Sequence, residues 1–114
     1  MTTAIEYILP ANGMSALHTL DADEMWIHLG GGILDLVYSC GDDSKRRTLK
    51  SGEHCIFPAG CLFGAREVAD EDVHVICVVS PGYTDEGFRL VSETETKQAC
   101  PKGWELLLPF CKQK

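Results

Sequence analysis

Short segments rich in β-branched and aromatic residues recur from the N-terminus to about residue 92, each followed by turn residues. Segments of this kind, repeated every ~8–12 residues, are typical of an all-β sandwich or barrel. No stretch of helical periodicity is long enough for crossover helices, which argues against a parallel βαβ sheet. The pattern predicts nine strands, over residues 4–9, 14–20, 24–29, 33–40, 46–49, 54–57, 62–68, 73–79 and 88–92.

The end of the chain departs from this pattern. Residues 94–99 predict a short helix, which Pro101 limits because proline disrupts a helix interior. Residues 104–110 are strongly apolar, and we expect them to pack on the barrel or on a second copy of the chain. The sequence thus predicts one domain over residues 1–114, with a barrel over about 4–92 and an apolar tail over 93–114.

The charge balance argues against nucleic acid as a partner. The 114 residues carry a net charge of −7, whereas phosphate binding needs a stripe of Lys and Arg. The one basic cluster, Lys45-Arg46-Arg47, follows the polar hairpin loop 41–44, and we interpret it as a solvated hairpin flank. Neither a signal peptide nor an apolar run of ~20 residues is found, so we expect no membrane partner and a cytoplasmic location.

Six cysteines in a short chain raise the alternative of a disulfide scaffold. None of them forms a Cys-x-x-Cys pair. Cys55 and Cys77 lie in apolar segments and look like small buried hydrophobes. Cys100 and Cys111 lie in the tail, where a pairing or a metal contact is an open alternative. We expect the thiols to be reduced.

Two motifs resemble those of the cupin superfamily. The first matches at Gly13, His18, Glu24 and Gly31, with Leu20 where the family has its second histidine. The second matches at Gly52, Pro58 and Gly60, with Phe63 where the family has a histidine. Together with Asp23-Glu24-x-Trp26 and Ser80-Pro81-Gly82-Tyr83, they resemble the short cupins of unknown function related to the deoxy-sugar epimerase (RmlC-like) branch.

This resemblance, which spans about residues 4–92, implies a double-stranded β-helix, the cupin jelly-roll barrel, with a pocket in the barrel mouth. The predicted ligand-binding residues are His18, Glu24, Trp26 and Phe63. A carboxylate on an inward strand face is costly without a partner, which favours a pocket role for Glu24. The remaining histidines are expected to be structural or exposed; they are His28, His54 and His74.

Cupin metal sites use three histidines and one glutamate, and only His18 and Glu24 remain here. We expect a hairpin turned by residues 21–23, in which Leu20 faces Glu24 and His18 is the diagonal neighbour of Glu24 at ~7–8 Å. Transition metals in proteins take three or four ligands. We therefore expect no cofactor, and a divalent metal is the disfavoured alternative.

Three functions remain open at this point. The first is binding of a sugar-like or carboxylate-like small molecule. The second is a metal-independent epimerase or isomerase, with His18 as the base and Glu24 orienting or protonating it; beyond these candidates no catalytic residue is assigned. The third is a non-catalytic interaction protein whose apolar tail forms a homodimer. Fold alone cannot choose among them.

Overall fold

The computed structural model describes residues 2–112, and this part of the chain forms nine strands in the predicted order. Their ends differ from the prediction by at most two residues. The strands are β1 Thr3–Leu9, β2 Met14–Leu20, β3 Asp23–Gly31, β4 Leu34–Ser39, β5 Lys45–Leu49, β6 His54–Phe57, β7 Leu62–Glu67, β8 Val73–Ser80 and β9 Phe88–Leu90.

The strands form two antiparallel sheets, in the orders β1-β8-β3-β6 and β5-β4-β7-β2-β9. Side chains alternate between the two faces of each strand, and the inward ones of both sheets meet in one apolar core. Its largest members include Leu9, Trp26, Phe57, Leu34, Leu36 and Phe63. Two packed sheets of this kind confirm the predicted jelly-roll barrel.

The predicted hairpin around residues 21–23 is wrong. β2 pairs with β7 and β9, whereas β3 pairs with β8 and β6, so the turn carries the chain from one sheet to the other. The turn is held by the loop after β6: Ala59 N donates to Asp23 Oδ1 at 2.8 Å, and Gly60 N donates to Leu20 O at 2.8 Å. Gly60 has a φ of +86°, a conformation that favours glycine.

The tail contains two short helices, α1 Glu93–Ala99 and α2 Trp104–Leu107, followed by a 3₁₀ turn at Leu108–Phe110. The predicted helix is confirmed, and Ser92 caps it by accepting from Glu95 N. Apolar tail side chains pack on Leu17, Val37 and Leu62, which point outward from β2, β4 and β7. Of the two packing partners that the sequence left open, the structure shows the chain's own barrel, so these side chains do not support a tail-mediated homodimer.

The expectation of reduced thiols is wrong for two cysteines. Cys40 and Cys61 form a disulfide with a Cα–Cα distance of 4.4 Å. They follow β4 and precede β7, and the adjacent pair Ser39 and Leu62 is in register. Disulfides persist mainly in oxidising compartments, so this bridge does not favour the expected cytoplasmic location. Cys55 and Cys77 are buried thiols, as expected.

A buried carboxylate closes one end of the barrel. Glu67 accepts hydrogen bonds from the backbone N–H groups of Asn12, Ile33, Ala69 and Glu71, at 2.6–3.2 Å. These donors lie in the three turns β1–β2, β3–β4 and β7–β8. Burial alone would raise the pKa of Glu67, but the four donors outweigh it and lower the pKa to about 2.

The basic cluster lies on the exposed strand β5, which pairs with β4 as the expected hairpin flank. Within residues 2–112, no helix has the length and apolar character needed to span a bilayer.

Candidate functional site

His18 and Glu24 face each other across the mouth of the barrel, from β2 in one sheet and β3 in the other. Their Nε2 and Oε1 atoms are 4.0 Å apart, and both side chains are at least nine-tenths buried. Both are inward-facing, as predicted, but they meet between the sheets and not as diagonal neighbours of a hairpin.

The tautomer of His18 follows from its backbone contact. Its Nδ1 lies 2.8 Å from the carbonyl oxygen of Ala16, which can only accept, so Nδ1 carries the proton. Nε2 then holds the lone pair and faces Glu24. The ring packs between Phe63 and Phe88, with centroids at 4.1 and 5.1 Å. Burial lowers the pKa of His18, and the hydrogen bond to Ala16 opposes this only in part. The imidazole is therefore neutral at pH 7.

Glu24 is the buried acid of the site. Burial raises its pKa, and the side chains of Trp26 and Cys77 act in the opposite direction with smaller effect. The indole N–H of Trp26 lies close enough to the Glu24 carboxylate to stabilise its charged form. The indole N–H nevertheless forms no hydrogen bond of acceptable geometry with Glu24. Glu24 thus keeps a proton to higher pH than an exposed glutamate does.

These side chains line a cavity of about 320 Å³. Its apolar walls include Ile5, Leu20 and Phe88. The residues that supply its polar groups are Tyr7, Ser15, His18, Glu24, Trp26, Cys77 and Tyr83. Hollows of similar size lie elsewhere, for example one of about 330 Å³ beside the disulfide. Only the barrel-mouth cavity among those found brings together buried groups with shifted pKa values.

Trp26 and Phe63 have different positions relative to the cavity. Trp26 lines it and is 3% exposed, and its Nε1 has no hydrogen-bond partner within residues 2–112. Phe63 does not line it. It lies deeper, stacked on Phe57 at 4.0 Å and edge-on to Trp26 at 6.2 Å, so it supports the rings of His18 and Trp26 from below. A direct ligand contact by Phe63 stays a prediction.

Three titratable wall residues were not found from sequence: Tyr7, Cys77 and Tyr83. Burial raises the pKa of Tyr7 and of Cys77, and the nearby Glu24 adds to the effect on Cys77. Burial, Asp85 and Glu24 raise the pKa of Tyr83. All three keep their protons at pH 7 and can donate. The alternation of β1 and β8 could have identified Tyr7 and Cys77 as inward-facing, but not as neighbours of Glu24.

The donor set does not fit a transition metal. Among residues 2–112, no group of three or more His, Cys, Asp and Glu side chains is placed to hold an ion. Leu20 and Phe63, which stand where the cupin motifs have histidines, supply no ligand atoms. His28 is fully buried and bonds Gly32 O through Nε2 at 2.7 Å, while His54 is exposed and His74 pairs with Glu6.

Solved structures share this architecture. A hypothetical protein from Leishmania major is 20% identical, with a TM-score of 0.82 over 98% of this chain and 77% of that one. A Shewanella oneidensis protein is 25% identical, with a TM-score of 0.80 over 99% and 76%. A Klebsiella pneumoniae protein with a double-stranded β-helix domain is 23% identical, with a TM-score of 0.65 over 80% and 75%. These likenesses establish the fold.

A search of curated proteins finds no match. Residues 1–91 match the family described as Cupin superfamily (DUF985), which covers the barrel and both motifs. The chain therefore belongs to the DUF985 family of the cupin superfamily.

Proposed function

We propose that the barrel-mouth cavity binds a small, uncharged molecule through hydroxyl or carbonyl oxygens. The observation that carries this proposal is the indole N–H of Trp26, a buried donor without a partner on the cavity wall. A buried polar group left unsatisfied costs ~1–3 kcal/mol. An acceptor atom on a ligand would remove this cost.

The polar groups of the cavity favour an uncharged ligand. The wall residues found include no lysine or arginine, so a phosphate or a free carboxylate has no cation to neutralise it. Tyr7 and Tyr83 can donate, whereas Nε2 of His18 can accept. This mixture suits a sugar-like polyol or a hydroxy-carbonyl compound, and a carboxylate-like ligand becomes the weaker alternative. The volume of about 320 Å³ is at the lower end of the range for ligand pockets.

The test follows the indole N–H itself. Trp26 and Trp104 are the two tryptophans, so two ¹⁵N-indole NMR signals are expected, and the Trp104→Phe variant assigns them. Matched sugars, hydroxy-ketones, carboxylates and phosphates are titrated, with melting temperature as a second readout. A ligand at 100 times its Kd adds about 2.7 kcal/mol of stability.

We expect neutral hydroxyl or carbonyl compounds to move the Trp26 signal. Trp26→Phe keeps an aromatic ring at this position but loses the N–H donor, and it should weaken binding by up to about tenfold. Trp104→Phe lies outside the cavity and should leave affinity unchanged. Selective binding of phosphates, or equal affinity in Trp26→Phe, would contradict the proposal.

A second candidate is an isomerase that uses His18 as the base. It is favoured by the neutral imidazole, whose Nε2 lone pair faces the cavity. Such a base can take the proton beside a carbonyl, and Tyr7 or Tyr83 can donate to the developing enolate oxygen. The main support for this candidate is the tautomer of His18. Because Nδ1 donates to the carbonyl oxygen of Ala16, Nε2 is unprotonated and can accept a proton.

Hydrogen exchange tests this second candidate. A carbonyl ligand from the screen is incubated with the protein in D₂O, and loss of its α-proton signal is followed by NMR. We expect His18→Gln to abolish exchange and His54→Gln, an exposed control, to leave it unchanged. If the wild-type protein does not accelerate exchange of the α-proton, the isomerase candidate is contradicted and ligand binding remains the proposed function of the cavity.

A further inference from the structure

The inward side chains of the sheet β1-β8-β3-β6 become exposed toward its β1 edge. One row of them crosses the sheet from β1 to β6 and consists of Ile5, Cys77, Trp26 and Cys55. Cys55, at the β6 edge, is only 5% exposed, whereas Ile5, at the β1 edge, is 37% exposed. The two sheets therefore cover each other on the β6 side and leave an opening on the β1 side.

The sheet β5-β4-β7-β2-β9 shows the same gradient toward its β9 edge. His18 on β2 pairs with Phe63 on β7 and with Leu90 on β9, and side chains of directly opposite residues share one face of a sheet. His18 and Phe63 are buried, but Leu90 is 40% exposed. Phe88, two residues earlier on β9, is 36% exposed. Apolar side chains on the inward face of β9 thus remain in contact with water.

The cavity opens sideways between these two edges. β1 and β9 each end their own sheet, and no described strand pairs with the free edge of either. Ile5 and Phe88 nevertheless line the same cavity, together with the exposed ring of Tyr83. The ring centroids of Tyr83 and Phe88 are 6.4 Å apart, and the backbone N–H of Tyr83 donates to Thr3 Oγ1 at 3.2 Å. Ile5, Tyr83, Phe88 and Leu90 are named here the rim.

Resting on the proposed binding function, we propose that the ligand is a small uncharged amphiphile, whose polar head binds beside Trp26 and His18 and whose alkyl or aryl group lies on the rim. The cavity volume of about 320 Å³ is at the lower end of the range for ligand pockets. A ligand with a larger body has to extend between β1 and β9. Because the rim is continuous with the cavity wall, one molecule can remove the apolar surface of both from water.

The charges around the rim disfavour an anionic amphiphile such as a fatty acid or a phospholipid. The carboxylate of Asp85 lies beside Tyr83 and would repel a negative head or chain end. None of the four rim residues is a lysine or an arginine. The guanidinium of Arg89, between two rim residues in sequence, forms an ion pair with Glu95. The rim therefore matches an uncharged apolar group.

Two series of compounds that differ only in chain length test the rim. Methyl, butyl and hexyl β-glucosides and hydroxymethyl ketones with the same three chains are titrated as monomers, with the Trp26 indole signal as the readout. Each methylene that leaves water tightens binding about fourfold. In the series whose head binds, we expect the hexyl compound to bind at least tenfold more tightly than the methyl compound.

A variant of the rim tests where the chain lies. Leu90→Ser removes apolar surface from an exposed edge strand and should lower the hexyl-to-methyl affinity ratio at least threefold. Val68→Ser is the matched control, because Val68 is exposed and follows Glu67 at the closed end of the barrel; its ratio should equal that of the wild type. Circular dichroism and thermal melting show whether each variant folds. Ile5→Thr, which keeps a β-branched residue on β1, is the second rim variant if Leu90→Ser does not fold.

The outcomes separate this inference from the proposed function. Equal affinity of the methyl and hexyl compounds would overturn the inference and leave the proposed function intact. If no member of either series moves the Trp26 signal, the proposed function fails and the inference fails with it. A ratio unchanged in the rim variant, together with weaker self-association in sedimentation velocity, would assign the rim to a second copy of the chain and overturn the amphiphile.

Discussion

His18 and Glu24 place Nε2 and Oε1 4.0 Å apart although the two residues lie on strands of different sheets. The contact exists because the turn after β2 crosses the barrel mouth instead of folding β3 back onto β2. Burial then stabilises the neutral forms of both side chains. Burial thus moves the pKa values of the base and the acid in opposite directions, each toward the uncharged form.

Glu24→Gln should stabilise the protein at neutral pH. The pKa of Glu24 is raised above its ordinary value of 4.5, so the wild-type free energy of unfolding falls as pH rises through and above that value. Glutamine removes this penalty, and we expect a gain of about 0.5–2 kcal/mol at pH 7. The gain should vanish near pH ~4, where Glu24 is protonated in both states. Urea unfolding at the two pH values measures it, with the exposed Glu105→Gln as the control.

Glu67→Gln should destabilise the protein at pH 7. The folded-state pKa of about 2 lies below the ordinary 4.5, so the carboxylate stabilises the fold above pH 4.5 and loses this effect as pH falls toward 2. The amide also replaces one acceptor oxygen by a donor that faces backbone N–H groups. We expect a drop in Tm of more than about 5 °C at pH 7, and a smaller difference at pH 3. Glu71→Gln, whose side chain is exposed, should have little effect; an equal drop there would contradict the role of Glu67.

Phe110→Ala should detach the tail from the barrel. Phe110 is 1% exposed. Its Cβ packs closely on the backbone of Gly64, since a Cβ added at Gly64 would lie only 3.2 Å from it. The guanidinium of Arg66 also lies 4.8 Å from the ring centroid. Truncation of a buried phenylalanine costs ~3–5 kcal/mol, which chemical denaturation would detect. Glu105→Ala on the exposed side of α2 is the control, and a loss below 1 kcal/mol for Phe110→Ala would show that the tail is dispensable.

Reduction of the Cys40–Cys61 disulfide should lower stability without unfolding the barrel. The bridge closes a segment with a sequence separation of 21, for which loop-closure entropy accounts for ~3 kcal/mol. Peptide mapping without reductant should recover the two cysteines in one cross-linked fragment. Cys40→Ser with Cys61→Ser should shift the urea midpoint by the same amount as dithiothreitol, and separate peptides in the unreduced map would contradict the bridge.

Local patterns were sufficient for much of the fold. Alternation in β2 and β3 places His18, Glu24 and Trp26 on inward faces, and the structure confirms this orientation. The same patterns could not show that Phe63 lies beneath the cavity wall. The position of its ring depends on stacking against Phe57, which lies on another strand. Tyr7, Cys77 and Tyr83 were missed because local patterns do not show that β1, β8 and the segment after β8 bring these residues to the cavity beside Glu24.

The sequence by itself determined the number, order and approximate ends of the strands, because side-chain alternation and turn residues act over a few neighbouring positions. Only the tertiary structure decided which strands pair, because backbone hydrogen bonds between strands are satisfied by any compatible partner and carry no local signature. That choice separated β2 from β3, joined Cys40 to Cys61, and brought His18 and Glu24 together between two sheets.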